Sequence, residues 1–353
     1  MIRWHEQRAL PAGVAAILSG ASPCTNADWK DALRYTDRHQ LTFALVKNGP
    51  DWVRAQVDAD RARNRDRNSR IVDRFREVQA ATAGVEVVVL KGFTHWDLFH
   101  LQPDDRVQYD LDIYCPGRFT AVRDALQGLM PRADFRWNGD FYDAAIPIGI
   151  DLHDRLWNEA MEGFAAPGVE QFWERRVWSS VAGIRFQTLA PADALAYATL
   201  HMLKHCLHGE ARPAQALELA SFLRHHAHDD RFWTEWLELH PPELRRLQAI
   251  AFRFAAEWFG CPLREEARCL SPDVERWFER HAASPVTAFF QPNKDELALN
   301  LALIDGAGAK ARVVGRRLFP VQWPRPFSYA VARGWFHLRA LAPALSTMFR
   351  MRS

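Results

Sequence analysis

The chain has 353 residues, 48% of them apolar and 25% charged, and 45 Lys and Arg against 43 Asp and Glu leave a formal charge of +2. That length suits about two domains with ordinary packed cores, and the balanced charge excludes a general basic coat for nucleic acid or membrane. No run approaches the roughly 18 consecutive apolar residues of a membrane-spanning helix, and the five cysteines are scattered without a C-x-x-C, so neither a disulfide framework nor a zinc ribbon is expected.

A reducing cytoplasm is the setting this cysteine usage fits. At the N-terminus, the apolar stretch Val14–Leu18 is too brief for a secretory leader, and none is expected. Residues 27–83 read as helical: Asp28-Trp-Lys-Asp-Ala-Leu opens one helix, and Ile71, Val72, Phe75 and Val78 repeat at helical spacing in another. The arginines of 61–70 interleave with Asp58, Asp60, Asp66 and Asp73, the pattern of a solvated helix face rather than a nucleic-acid contact.

The texture changes at Gly84. Val85–Leu90 is a β-branched run of strand length, followed by Lys91-Gly92 and a short helical segment, Phe93–Leu98. Tyr109–Cys115 alternates with period two, Arg118–Leu129 reads as a helix, Phe141–His153 alternates again, and a last strand is expected at Ile184–Leu189. Helical spacing then returns over Ala194–Leu207, Ala214–His226, Phe232–Leu239 and Pro242–Phe259, and the chain closes on a basic, aromatic segment, Tyr329–Arg352. The expected fold is α+β, a small mixed sheet flanked by N-terminal and C-terminal helical regions, partitioned as 1–83, 84–190, 191–265 and 266–353.

The strands carry the chemistry. Asp110 and Asp112 lie two apart on one strand and leave its same face; burying two like charges together is costly unless a cation compensates. Asp151 stands on the later apolar strand with His153 on its face, so if the two strands are neighbours three carboxylates converge, as a two-metal phosphoryl or nucleotidyl transfer site requires. Upstream, Gly92 lets backbone approach a phosphate and Lys91, one of only six lysines, supplies a point charge there.

Taken together, Leu90-Lys91-Gly92, Arg106 four residues before Asp110-Leu-Asp112, and Asp151-Leu-His153 resemble the uncharacterised nucleotidyltransferase family of the DNA polymerase β-like nucleotidyltransferase superfamily. The likeness extends over roughly residues 27–265, taking in Asp28-Trp29, Arg38-His39-Gln40, His201 and His205. It implies a nucleotidyltransferase sheet and transfer of a nucleotidyl group from a nucleoside triphosphate, ATP by default, to a hydroxyl of a small-molecule, peptide or protein acceptor. It further implies two Mg²⁺ ions on Asp110, Asp112 and Asp151, with Asp151 helping to deprotonate the acceptor. Lys91 and Gly92 would hold the phosphates, with Thr94 standing near the serine usual in the superfamily. Arg106 would neutralise phosphate or pair with Asp104 or Asp105, and His153 would orient Asp151, touch the acceptor or bond to backbone within the core.

Two rival functions are carried with this one. A metal-dependent glycosyltransferase also uses D-x-D, but it needs a sizeable α/β unit before that motif, where residues 1–83 read as helix; a catalytically silent scaffold would keep the fold to bind a nucleotide or peptide. His201, His205 and His208 share one side of a helix and are read as packing or cleft contacts before zinc ligands. His225-His226-Ala-His228 ends a helix, where the dipole favours imidazolium. Trp96, Tyr109 and Trp137 are read as packing rather than base stacking, and the terminal basic segment as docked on its own domain, with a membrane or partner contact as the alternative.

Overall fold

The computed structural model describes residues 11–130, 134–135, 140–143, 146–209, 212–282 and 296–318. One compact unit runs through Ala302, and residues 303–353 form a second. Tyr329–Arg352, with its expected docking, lies outside the described residues, as does the side chain of Trp137. No described helix is long and apolar enough to cross a membrane.

The N-terminal segment is helical: α1 (Ala12–Leu18), α2 (Asn26–Arg38), α3 (Thr42–Leu45) and the long α4 (Asp51–Ala81). Helix α2 starts where Thr25 and Asp28 form a reciprocal capping box. Trp29, Leu33, Phe43, Val53 and Val57 close a small core among these helices. Residues 26–81 contain no strand, so the α/β unit that a glycosyltransferase places before its D-x-D is not there.

The sheet follows: β1 (Val88–Val89), α5 (His95–Leu98), β2 (Asp110–Tyr114), α6 (Phe119–Leu129), β3 (Asp134–Phe135), β4 (Asp140–Asp143), β5 (Ile146–His153), α7 (Glu159–Glu162), β6 (Val177–Val181) and β7 (Ile184–Thr188). Its strand order is β3-β4-β5-β2-β1-β7-β6. Strands β2 and β5 are parallel, as are β1 and β7, while the remaining pairs are antiparallel, which makes the sheet mixed. The alternation over 141–153 is two antiparallel strands rather than one, and β6 is an additional edge strand whose Trp178 is exposed beneath the Arg185 guanidinium.

One face of the sheet is apolar: Leu111 and Ile113 of β2 and Ile148, Ile150 and Leu152 of β5 pack with Ile71, Val72 and Phe75 of α4 and Val122 and Leu126 of α6. Period-two alternation therefore sends Asp110, Asp112, Asp151 and His153 to the opposite face. Against that face lies α8 (Pro191–His208), which begins with Pro at its first turn and ends at Gly209 in the left-handed conformation. Helices α9 (Pro213–His225), α10 (Asp230–Leu239), α11 (Pro242–Phe259) and α12 (Pro272–His281) complete a helical layer rich in buried aromatics, among them Phe222, Trp233, Trp236, Phe252, Phe254 and Phe278.

The arginine run of α4 is more than a solvated face. Arg61 pairs with Asp105 at 2.5 Å and Arg65 with Asp104 at 3.1 Å. Between them the buried Asn64 donates to the carbonyls of Asp104 (3.2 Å) and Arg106 (3.0 Å), and Asn68 to that of Pro103 (2.8 Å). This polar ladder fixes the connection that leads from α5 into β2.

Candidate active site

The register of β2 and β5 sets Asp112 directly opposite Asp151, with Asp110 opposite Gly149. Like charges facing each other across strands are destabilising, and Lys91, entering from the end of β1, offsets them: its Nζ lies 3.1 Å from Asp112 Oδ2 and 3.7 Å from Asp110 Oδ2. Burial alone would strip the Lys91 proton, but Asp112 and Asp110 outweigh it and hold the ammonium above its ordinary pKa.

The two aspartates of the D-x-D differ. Asp112 is buried, and although desolvation opposes its charge, Lys91 and the hydrogen bond with His153 pull its pKa down to about 2. Asp110 is more open and has a raised pKa, from partial burial first and then the neighbouring Asp112 charge. His153 Nε2 lies 3.0 Å from Asp112 Oδ1, so His153 braces Asp112, the carboxylate opposite Asp151. Asp112 Oδ2 is buried against the Lys91 ammonium. One ligand atom each from Asp112, Asp151 and His153 fall within 4.8 Å of one another.

The turn after β1 is tight. Gly92 begins a 3-10 turn, Gly92–Thr94, with φ +81°, and a Cβ there would overlap the Gln108 amide. Gln108 in turn donates to the Asp110 carbonyl at 2.7 Å, so the turn and strand β2 are in contact. Thr94 directs its hydroxyl to the Leu90 carbonyl at 3.1 Å.

Arg106 pairs with neither Asp104 nor Asp105, which are taken by α4. Its Nε lies 3.0 Å from Glu218 Oε1 on α9, while His95 Nδ1 donates to Glu218 Oε2 at 3.1 Å. Burial alone would raise the Glu218 pKa; the Arg106 charge and the His95 hydrogen bond outweigh it and bring it to about 2. His95 is itself lowered, chiefly by burial, and is therefore neutral. Arg106 Nη1 is buried without a hydrogen-bond partner.

Helix α8 contributes residues that helical spacing alone placed on one side. His201 Nε2 is 3.4 Å from Lys91 Nζ and 3.2 Å from His205 Nε2. Burial and the Lys91 charge hold the His201 pKa well below the ordinary value and that of His205 at about 4, so both imidazoles are neutral. His208 turns away to Glu162 at 3.0 Å. Tyr197 is buried, and desolvation together with Asp112, Asp151 and Asp110 keeps its phenol protonated. Tyr109 is exposed with Arg67 stacked at 4.6 Å, and Trp96 packs edge-on to Phe93.

The face thus combines three carboxylates on two adjacent strands, a charged lysine at a glycine turn, and a rim of neutral imidazole and phenol. A family model described as an uncharacterised nucleotidyltransferase matches residues 25–260, about two thirds of the chain. No curated protein and no solved structure matches.

Proposed function

The chain belongs to that nucleotidyltransferase family, and from that premise we propose that it moves a nucleotidyl group from a nucleoside triphosphate, ATP by default, to an acceptor hydroxyl, dependent on Mg²⁺. The observation that carries the reading is the register Asp112↔Asp151, on the face shared by Asp110 and Lys91. The residues suit a divalent cation by donor chemistry: hard carboxylate oxygens share one face, and one ligand atom each of Asp112, Asp151 and His153 lies within 4.8 Å of the other two. Asp110, Asp112 and Asp151 would hold it, and when bound it would neutralise triphosphate charge and acidify the acceptor hydroxyl.

The protein's own groups divide the remaining work. Lys91, at the head of the Gly92 turn, binds the phosphates, with backbone approach allowed by the missing Cβ; Thr94 is committed to the Leu90 carbonyl, so that contact falls to Lys91 and the turn. Arg106, anchored through Nε by Glu218, offers Nη1 to a phosphate oxygen. His153 orients Asp112. Asp151 accepts the proton of the acceptor hydroxyl as its oxygen bonds to the α-phosphorus, the α–β phosphoanhydride breaks, and pyrophosphate leaves.

Calorimetric titration with ATP, GTP, CTP and UTP, with and without Mg²⁺, tests this on the wild type and on Asp110→Ala/Asp112→Ala. Binding that needs Mg²⁺ and vanishes in the variant is the expected result, to be followed by a mass search for a nucleotidylated acceptor. Failure of every triphosphate to bind with Mg²⁺, or binding untouched by the double substitution, refutes the proposal.

A further inference from the structure

Apart from the carboxylate face, three imidazoles meet where the end of α5 reaches the end of α9. His100 follows the C-cap residue of α5, His225 is the last residue of α9, and His226 is its C-cap. One ring nitrogen of each lies within 4.8 Å of the other two. The His100 and His225 rings are stacked, with centroids 3.3 Å apart and planes at 23°, and the His226 centroid is 6.1 Å from that of His100. Beneath them Phe99 packs on Phe222 at 5.0 Å, and Ser221 Oγ donates to the His100 carbonyl at 3.4 Å.

Two details go beyond proximity. His100 has φ +52°, a left-handed position just past a helix end where glycine is the least strained choice. His226 donates from Nδ1 to Asp229 Oδ2 at 2.9 Å, and Asp229 is itself fixed by accepting the Phe232 amide at 3.0 Å. That hydrogen bond leaves Nε2 as the lone-pair atom of His226, the carboxylate–imidazole arrangement that orients metal-bound histidines.

We propose that His100, His225 and His226 form a binding site for a divalent transition cation, Zn²⁺ being the borderline-soft ion that three imidazoles suit, with Asp229 as the group that positions His226. The exposure of His100 and His225 leaves a further coordination position to water. Such an ion ties the end of α5, which continues directly from the Gly92–Thr94 turn, to α9, whose Glu218 already holds His95 and Arg106. The inference is independent of nucleotidyl transfer. The histidine pair at 225 and 226 is visible in the sequence, but His100 comes from a distant segment, so the helix dipole alone seemed to account for them.

The test is calorimetric Zn²⁺ titration of the full chain carrying Asp112→Asn, which removes the central ligand of the carboxylate cluster, with Co²⁺ visible absorption as a second readout. One bound Zn²⁺ per chain, and the visible bands of nitrogen-ligated Co²⁺, are expected. Adding His100→Gly, which suits the left-handed backbone and preserves folding, should weaken Zn²⁺ at least about tenfold and abolish the thermal upshift given by the ion. Asp229→Asn, which still caps α10, should weaken it about 10–100-fold. No Zn²⁺ binding by the parent, or unchanged affinity after His100→Gly, overturns the proposal.

Discussion

Replacing Glu218 by glutamine keeps its size and removes its charge, which asks whether Arg106 and His95 are held by an ionised carboxylate or by packing alone. The Arg106 side chain is 12% exposed, so neutralising its partner strands a charge with little access to water. Breaking a buried pair in this way costs about 3–5 kcal/mol. The titration of Glu218 gives a separate figure: against burial, Arg106 and His95 take its pKa from 4.5 to about 2, which corresponds to roughly 3 kcal/mol at about 1.4 kcal/mol per pH unit. Because the folded-state pKa is depressed, this stabilisation is fully present above pH 4.5 and is lost as pH falls toward 2. Urea unfolding of wild type and Glu218→Gln at several pH values should show a difference of roughly 3 kcal/mol at pH 7, with somewhat more than half of it gone by pH 3. A difference below about 1 kcal/mol at pH 7, or one that does not vary with pH, would refute the reasoning.

Gly92→Ala meets both a left-handed φ of +81° and the Gln108 amide; thermal melts should register a loss of about 2–3 kcal/mol. Removing the two hydrogen bonds that Asn64 gives to the carbonyls of Asp104 and Arg106, by Asn64→Ala, should cost about 1–3 kcal/mol in urea unfolding. Asp193 is fully buried, receives Arg175 at 2.7 and 2.8 Å and lies 3.1 Å from His240 Nε2. Asp193→Ala strands those partners and should destabilise the fold by about 3–5 kcal/mol, whereas a variant that unfolds at the wild-type urea midpoint would contradict that account.

The sequence made the helices and the acidic strands readable because their signals are local. Alternation around Asp110, Asp112 and Asp151 marks which side chains share a face, and Pro or Gly at the ends of α8 and α11 marks their limits. Strand adjacency is a long-range property, and composition alone could not show that β5 lies beside β2. The same limit hid the partner of Arg106, since Glu218 lies on a helix far downstream while two aspartates stood immediately before the arginine. Asn64 and Asn68 looked like part of a solvated arginine face; their burial depends on carbonyls of a loop that follows α5. The β-branched run 85–90 forms a strand only at Val88–Val89, with Val85 and Val87 packed against the core instead of lengthening the ladder. Edge strand β6 escaped notice because it carries one exposed tryptophan and two serines where a buried strand would show an apolar run.

The parallel pairing of β2 with β5 spans an intervening helix and hairpin, α6 and β3–β4. Helices such as α4 and α11 assemble from neighbours in the chain, whereas this contact must close a long loop before it contributes anything. A refolding molecule can therefore recover most of its far-ultraviolet ellipticity while Asp112 and Asp151 are still apart. A one-residue slip in that pairing would point Leu152 or Ile150, not Asp151, to the side of Asp112. On the proposed function, cation-dependent nucleotide binding followed in time during refolding would serve as a clock for correct sheet closure that circular dichroism cannot provide.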